Sequence, residues 1–275
     1  MTAMKEFWGD TGVFRPRELG PPSRTAGVPW RLDPVADVPD TVIDAGRVGQ
    51  LEIRAASARG ATHRERGEVR QDVFGVTSVG DRYVLAAVAD GLGAASHAHR
   101  GAQLAVRHAI GYLAWALPGS DLDVVDMVSA LRKADEAVRN AGPAPESRST
   151  TLTIAAIELG WAGQGHRFRA VRVGDSPALV LTGGTFLPLF VKRTQADECL
   201  PSPRGPADGA RGVLHAGEAL VLATSGIGRP VRETTVGTYL AQSWAEPPGP
   251  VAYLHQLHFD LRGFDEDRTA VVVWA

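Results

Sequence analysis

Four aspartates carry the chemistry this chain could do. Asp72 stands directly before the apolar run that opens at Val73, Asp90 directly after the run Val84 to Ala89, and Asp267 just ahead of Ala270 to Val273. Asp175 lies in the turn Gly174-Asp175-Ser176-Pro177 between two further apolar runs. A carboxylate at the end of a buried strand is costly unless something pairs with it, and a hard cation is an effective partner. Oxygen donors without a His/Cys cluster of zinc spacing select Mg²⁺ or Mn²⁺. Two such ions sharing one carboxylate would hold a water as hydroxide and clamp a phosphoryl oxygen. Taken singly, each aspartate reads more simply as a strand-end turn residue.

Other polar groups gather near Asp72. The segment Gly60-Ala-Thr-His63-Arg64-Glu-Arg66-Gly67-Glu-Val-Arg70-Gln71-Asp72 is dense in charge. Arg64, Arg66 and Arg70 are candidates to clamp a phosphate through the bidentate guanidinium fork, or else form a solvated surface. His63 could donate a proton to a leaving oxygen, its ordinary pKa lying near neutrality, or serve as a structural hydrogen-bonder. Ser149, Thr150 and Thr151 read as a capped strand start, since no Ser-His-Asp order supports a nucleophile. Cys199 has no partner that spacing identifies.

The elements that must position these groups are legible in the periodicity. Leu51, Ile53 and Ala55 alternate with polar residues, as in a strand with one wet face, whereas Tyr83 to Ala89 is apolar throughout and suits a strand buried on both faces. Short turns join the first strands, which therefore pair antiparallel. Leu104, Ala105, Ala109, Tyr112, Leu113 and Ala116 share one face of a helix that Pro118-Gly119 stops; a second helix is expected from Ser120 to Gly142. Strands follow over Thr150 to Ile157, Phe168 to Val173 and Ala178 to Leu181, with a Gly183-Gly184 hairpin into Thr185 to Leu189. Lys192 to Gly212 reads as a long polar loop. Ala219 to Thr224 is a buried strand, Arg232 to Trp244 and Pro250 to Leu261 are weaker helical patterns, and a strand closes the chain at Trp274.

The 275 residues, 44% apolar and 22% charged, can bury a sizeable core, and a net charge of −2 points to neither nucleic acid nor an anionic membrane. One cysteine, no apolar run of membrane length and no signal-peptide core at the N-terminus suggest a cytoplasmic protein. Six prolines interrupt residues 1–46, which read as an arm that contacts either its own domain or a partner; residues 47–275 read as one domain.

In order along residues 50 to 274, the motifs resemble the metal-dependent protein phosphatases of the protein phosphatase 2C type. They are G-A-T-H…G…Q-D-V-F-G around the charged segment that ends in Asp72, V-A-D-G-L-G, S-T-T-L at Ser149, V-G-D-S at Val173, A-T-S-G-I, and D-R-T-A-V-V-V. The resemblance implies an α+β fold, a four-layer α/β/β/α sandwich of two antiparallel sheets flanked by antiparallel helix pairs. It further implies that Asp90 bridges two Mg²⁺ or Mn²⁺ ions, that the Gly91 carbonyl binds one, that Asp267 is a ligand of the second, that Asp72 acts through water, and that Asp175 serves a looser third site. A metal-bridging water would then attack phosphoserine or phosphothreonine in a protein substrate. Departures from the family pattern stand beside this. Ser225 replaces a metal-binding aspartate, which implies a weakened second ion. Pro177 and Arg268 replace an arginine and an asparagine, and Gly67 falls where a phosphate arginine is common. Two functions remain in play: an active phosphatase, and a catalytically degenerate binding or regulatory module on the same fold.

Overall fold

The computed structural model describes residues 16–23, 38–92, 95–160, 165–190, 198–201 and 207–275. After a two-residue strand β1 (Arg17–Glu18), the chain runs β2 (Thr41–Val48), β3 (Leu51–Ala58), a short helix α1 (Ala61–Arg66), β4 (Val73–Val79), β5 (Tyr83–Ala89), α2 (Ala98–Ala116) and α3 (Met127–Asn140). Then come β6 (Leu152–Glu158), β7 (His166–Val173), β8 (Ala178–Thr182), β9 (Thr185–Pro188), β10 (Asp208–Leu214) and β11 (Ala219–Ala223). Helices α4 (Ser225–Glu233), α5 (Val236–Ser243) and α6 (Pro250–Leu257), a two-residue β12 (Phe259–Asp260) and β13 (Arg268–Trp274) complete it. One sheet has the order β10-β7-β6-β5-β4 and the other β2-β3-β13-β11-β8-β9, both antiparallel throughout.

The period of two in the strands builds three apolar layers. In β5, Val84, Ala86 and Val88 face the other sheet, where they meet Leu51, Ile53 and Ala55 of β3 and Leu220 and Leu222 of β11. The alternate residues Leu85, Ala87 and Ala89 face α2 and α3, whose Ala102, Ala105, Ala109, Leu113, Ala130 and Ala134 form the outer layer. Val221, Ala223 and Val272 play the same part on the far side, against Ile227, Leu240, Trp244 and Tyr253. A strand with no polar face is what a doubly covered sheet requires, and β5, β6 and β11 are buried along their whole length. The alanine stripe of α2 lets that helix lie close to the sheet.

Several elements depart from the sequence expectation. Helix α3 starts at Met127 and not at Ser120, because Asp126 accepts hydrogen bonds from Ser129 N (3.1 Å) and Oγ (2.7 Å) and so caps it there. The stretch Lys192 to Gly212, expected as loop, ends inside β10, an edge strand paired with β7 from Asp208 to Leu214; an edge with one wet side needs little apolar sequence. The single helix expected near Arg232 is two, and α4 begins at Ser225 in a Gly/Pro-rich stretch that propensity disfavours. The change in composition at residue 46 falls inside β2, whose Thr41 to Val48 pair with β3. Farther upstream, Arg17 and Glu18 pair with Phe259 and Asp260, and Leu19 N donates to the Asp260 carbonyl at 3.1 Å, so this part of the arm lies on its own chain.

Antiparallel pairing brings the acidic strand ends to one edge of the sandwich. Val73 at the start of β4 is registered with Ala89 at the end of β5, so Asp72 and Asp90 lie side by side. In the other sheet Ala223 at the end of β11 is registered with Ala270, which places Thr224 and Ser225 beside Asp267 at the head of β13. Backbones meet there without room for a side chain: a β-carbon on Gly226 would lie 1.9 Å from the Asp267 carbonyl oxygen, and one on Gly60 would lie 2.3 Å from the Glu266 carbonyl carbon. Gly226→Ala must therefore spread α4 from β13; thermal unfolding is expected to show a loss of at least about 2 kcal/mol, the range of overpacked cores, and unchanged stability would show that the two backbones are not so close.

Candidate metal and phosphate site

Each acid at this edge is gripped by a different element. Asp267, only 4% exposed, accepts at Oδ1 from Gly60 N (2.6 Å), with His63 Nδ1 at 2.8 Å from the same oxygen, and at Oδ2 from Gln71 N (2.6 Å) and more distantly from Asp72 N (3.4 Å). Asp72, 1% exposed, accepts at Oδ2 from Thr224 Oγ1 (2.6 Å). Asp90, half-buried, accepts at Oδ2 from Ser225 Oγ (2.6 Å) and, at 3.4 Å, from Ser225 N at the start of α4, where the helix dipole favours an anion. Asp175 is exposed in its turn, near enough to Asp90 for its charge to be felt there.

Burial shows in the titration of Asp72 and Asp90. Desolvation pushes Asp72 well above the usual carboxylate range, and the charges of Asp90 and Asp267 add to it. Desolvation also raises Asp90, to about 6; the Ser225 hydrogen bond opposes the rise, and the charges of Asp175 and Asp267 reinforce it. Burial alone would lower His63, but the hydrogen bond and charge of Asp267, with a lesser contribution from Glu68, outweigh burial and hold it above 6.5.

Three residues that sequence does not mark as chemical, Thr150, Thr151 and Thr224, fix the backbone beneath the acids. Thr150 Oγ1 and Thr151 N both donate to the Asp90 carbonyl (3.0 and 2.9 Å), while Asp90 N donates to Thr151 Oγ1 (3.0 Å). Thr151 Oγ1 also lies 2.7 Å from Ser176 Oγ, joining the Asp90 and Asp175 turns. Thr224, in the N-cap position of α4, turns its hydroxyl to Asp72 instead of to the helix. A buried threonine at a strand end is the only sequence signal they offered.

The arginines are placed unequally. Arg64 makes a bidentate pair with Asp40 (Nε–Oδ1 3.1 Å, Nη2–Oδ2 2.7 Å), and Arg59 Nε lies 3.0 Å from the same carboxylate. Arg70 donates to the Pro39 carbonyl at 3.2 Å, to Ser57 Oγ at 2.7 Å and to the Asp72 carbonyl. Of the three phosphate candidates, only Arg66 is exposed, at the end of α1 close enough for its charge to bear on His63. Burial favours a neutral Asp40, yet the Arg64 hydrogen bond and charge hold its pKa below the usual value. Sequence could not reveal this clamp, whose partners are separated by about two dozen residues of chain. Arg268 turns away from the acids, donates to the carbonyls of Leu257 (3.2 Å), Phe259 and Phe264 (2.7 Å), and packs over the Phe259 ring. Pro177 packs against α4 at Gly228. Cys199 is partly buried and forms no disulfide.

As a cation site the donors are chemically apt but not assembled. They are all oxygens, which suits Mg²⁺ or Mn²⁺. Among the described residues no three His, Cys, Asp or Glu side chains converge into a formed cage. The Asp90 half fits an ion best, since no donor among the described residues reaches the Gly91 carbonyl beside it. The Asp267 half fits poorly, because backbone amides and His63 already face both oxygens.

This chain belongs to the protein phosphatase 2C family, a family of metal-dependent protein phosphatases, whose model matches residues 59–258. Among solved structures it is similar to the PPM Ser-Thr phosphatase MsPP from Mycobacterium smegmatis in complex with cacodylate, at 20% identity, over 85% of this chain and 96% of that one, with a TM-score of 0.54. The serine/threonine phosphatase PstP/Ppp of Mycobacterium tuberculosis is 23% identical over 81% of this chain and 97% of its own, with a TM-score of 0.55. The catalytic domain of PstP in complex with two manganese ions is 21% identical over the same shares, also at 0.55. At these identities the likeness is one of fold. Among curated proteins, none matches.

The Asp40 clamp has a measurable consequence. Asp40→Asn leaves Arg59 and Arg64 without their shared countercharge, and chemical denaturation should show a loss of about 1–3 kcal/mol, moderated by the partial exposure of Asp40. The loss should be present at pH 7 and shrink as the pH falls through the depressed pKa of Asp40, which lies below the ordinary 3.8.

The site predicts an unusual pH dependence as well. The folded pKa values of Asp72, Asp90 and His63 are all raised, so each group binds a proton more readily folded than unfolded. Their contribution is full below the unfolded values, 3.8 for the acids and 6.5 for His63, and is lost as pH rises through about 6 for Asp90 and above 6.5 for His63. In chelator the melting temperature should fall by several degrees between pH 5.5 and pH 8, and a rise over that interval would contradict the raised values.

Proposed function

We propose that this protein hydrolyses phosphoserine or phosphothreonine in protein substrates with the help of a divalent cation, through a site whose second metal position is weakened. The observation that carries the reading is the register that sets Asp72 and Asp90 side by side at the ends of β4 and β5, within a chain of phosphatase family. The residues read as metal-facing are Asp72, Asp90, Gly91, Asp175 and Ser225, and Asp267, read so from the family pattern, is the one whose oxygens backbone amides already face. When bound, a divalent ion would supply Lewis-acid stabilisation of the phosphoryl oxygens and lower the pKa of a coordinated water.

The chain's own groups divide the remaining tasks. Asp90 and Asp72 supply carboxylate oxygens, and burial raises their pKa values, a cost that a bound cation would offset. His63, held by Asp267, keeps its proton at neutral pH more readily than a free histidine and so suits a proton donor to the leaving oxygen. Arg66 is the candidate left to meet the phosphate, Arg64 and Arg70 being occupied with Asp40 and the backbone. The arm is read as contacting its own domain, as Asp40 and Pro39 do in holding those two arginines, or a partner.

The second reading, a phosphatase fold kept for binding, is favoured by Ser225. Its hydroxyl already satisfies Asp90 in the absence of an aspartate at that position. Hydrolysis of phosphoserine and phosphothreonine peptides with added Mn²⁺ decides between them: turnover in the wild type and its loss in Asp90→Asn supports the enzyme, and equal rates for the two proteins refute it. Ser225→Asp should tighten Mn²⁺ by about tenfold or more, roughly 1.4 kcal/mol, while lowering metal-free stability by setting a like charge against Asp90; calorimetric titration showing equal affinity would mean that position 225 does not face the ion.

A further inference from the structure

We infer that Asp267 is not a metal ligand in this chain but a metal-independent anchor, and that the site consequently holds one divalent cation, on the Asp90 side. The inference rests on the phosphatase reading for the presence of a cation, but its ground is the hydrogen bonding of a single carboxylate. Asp267 receives donors on both oxygens: Gly60 N and His63 Nδ1 at Oδ1, Gln71 N at Oδ2, with Asp72 N more distant. A buried carboxylate given backbone amides at 2.6 Å on each oxygen has its charge met by the protein itself. For an ion to take either oxygen it would have to displace or share those donors in a site with almost no solvent.

The donors explain what the anchor holds. Gly60 opens α1, His63 lies on it, and Gln71 leads into β4, so one side chain ties the charged α1 segment at both ends to the head of β13. Gly60 is pressed against the backbone of Asp265 and Glu266, which leaves that contact little freedom to open and admit an ion. The neighbouring position is neutral as well, since Ser225 spends its hydroxyl on Asp90 at 2.6 Å. A second ion would therefore meet one committed carboxylate and one hydroxyl. On the other side, Asp90 and the adjacent Gly91 carbonyl carry no such set of amides, and Asp175 is exposed nearby.

The test reads metal stoichiometry and metal-free melting, neither of which depends on turnover. Wild-type protein titrated calorimetrically with Mn²⁺ should bind one ion. Asp267→Asn keeps the volume and one acceptor but sets an amide donor against a backbone N–H; it should still bind one Mn²⁺, within about threefold of wild type, while melting in chelator at least about 5 °C lower. Asp90→Asn should show the reverse, losing Mn²⁺ and melting no lower than wild type in chelator. Two ions in the wild type, or an Asp267→Asn protein that loses Mn²⁺ with unchanged metal-free melting, would overturn the inference, and so would a wild type that binds no Mn²⁺. Should Asp267→Asn fail to fold, the wild-type stoichiometry decides alone. A wild type that binds one ion yet hydrolyses no phosphopeptide would sink the phosphatase reading and leave this one standing.

Discussion

Burying carboxylates at the ends of apolar strands is the constraint around which this structure is built. A six-stranded and a five-stranded sheet can stack only if their facing residues are apolar, and that excludes water from the strand ends as well as from the centre. Asp72 and Asp267 are nearly inaccessible there, and each must be met by a donor. The answers differ in kind. Asp267 is met by amides, Asp72 by a threonine hydroxyl, and Asp90 by a serine hydroxyl at a helix start. The local peculiarities follow from those three solutions: glycine at 60 and 226, α4 beginning at Ser225, and Thr224 turned away from its own helix.

Charge is not balanced at the site, and the imbalance is what links structure to function. Asp72, Asp90 and Asp267 interact repulsively in a medium of low polarity, and the nearby arginines spend their hydrogen bonds elsewhere, with Arg70 close enough to feel the charges of Asp72 and Asp267. Arg64 and Arg59 answer Asp40, Arg70 is spent on carbonyls and Ser57, and Arg268 holds the α6 to β13 connection. A protein that needed only stability would be better served by replacing such acids with apolar residues. Retaining Asp72 and Asp90 there, each met only by a hydroxyl at close range, is the mark of a site that expects positive charge from outside, which agrees with membership of a metal-dependent phosphatase family.

The arm and the site share residues. Pro39 and Asp40 precede β2, and their carbonyl and carboxylate hold Arg70, Arg64 and Arg59. Residues 17 to 19 pair with the segment just upstream of Asp267. Two described stretches of the N-terminal region, residues 17 to 19 and 39 to 40, thus contact the domain near the acids.

Much of the architecture was decided by sequence alone, because burial on both faces leaves a mark that periodicity can read. The unbroken apolar runs of β5 and β11 and the helical stripe of α2 are local facts that periodicity reads, while the α+β sandwich that the structure has was implied by the family resemblance that the order of the motifs carries. Edge strand β10 and strand β2 escaped, since a strand with one wet face and a mixed composition carries no such mark. Helix α4 escaped because its glycines and proline serve packing against β13 and Pro177, which outweighs propensity. What only the tertiary structure decided is the assignment of partners. Sequence names Asp267, His63, Arg64 and Ser225 as polar groups of suitable type, but which donor reaches which oxygen depends on bringing residues about 200 positions apart to within 3 Å. That distance is set by sheet register and strand ends, and no local pattern encodes it.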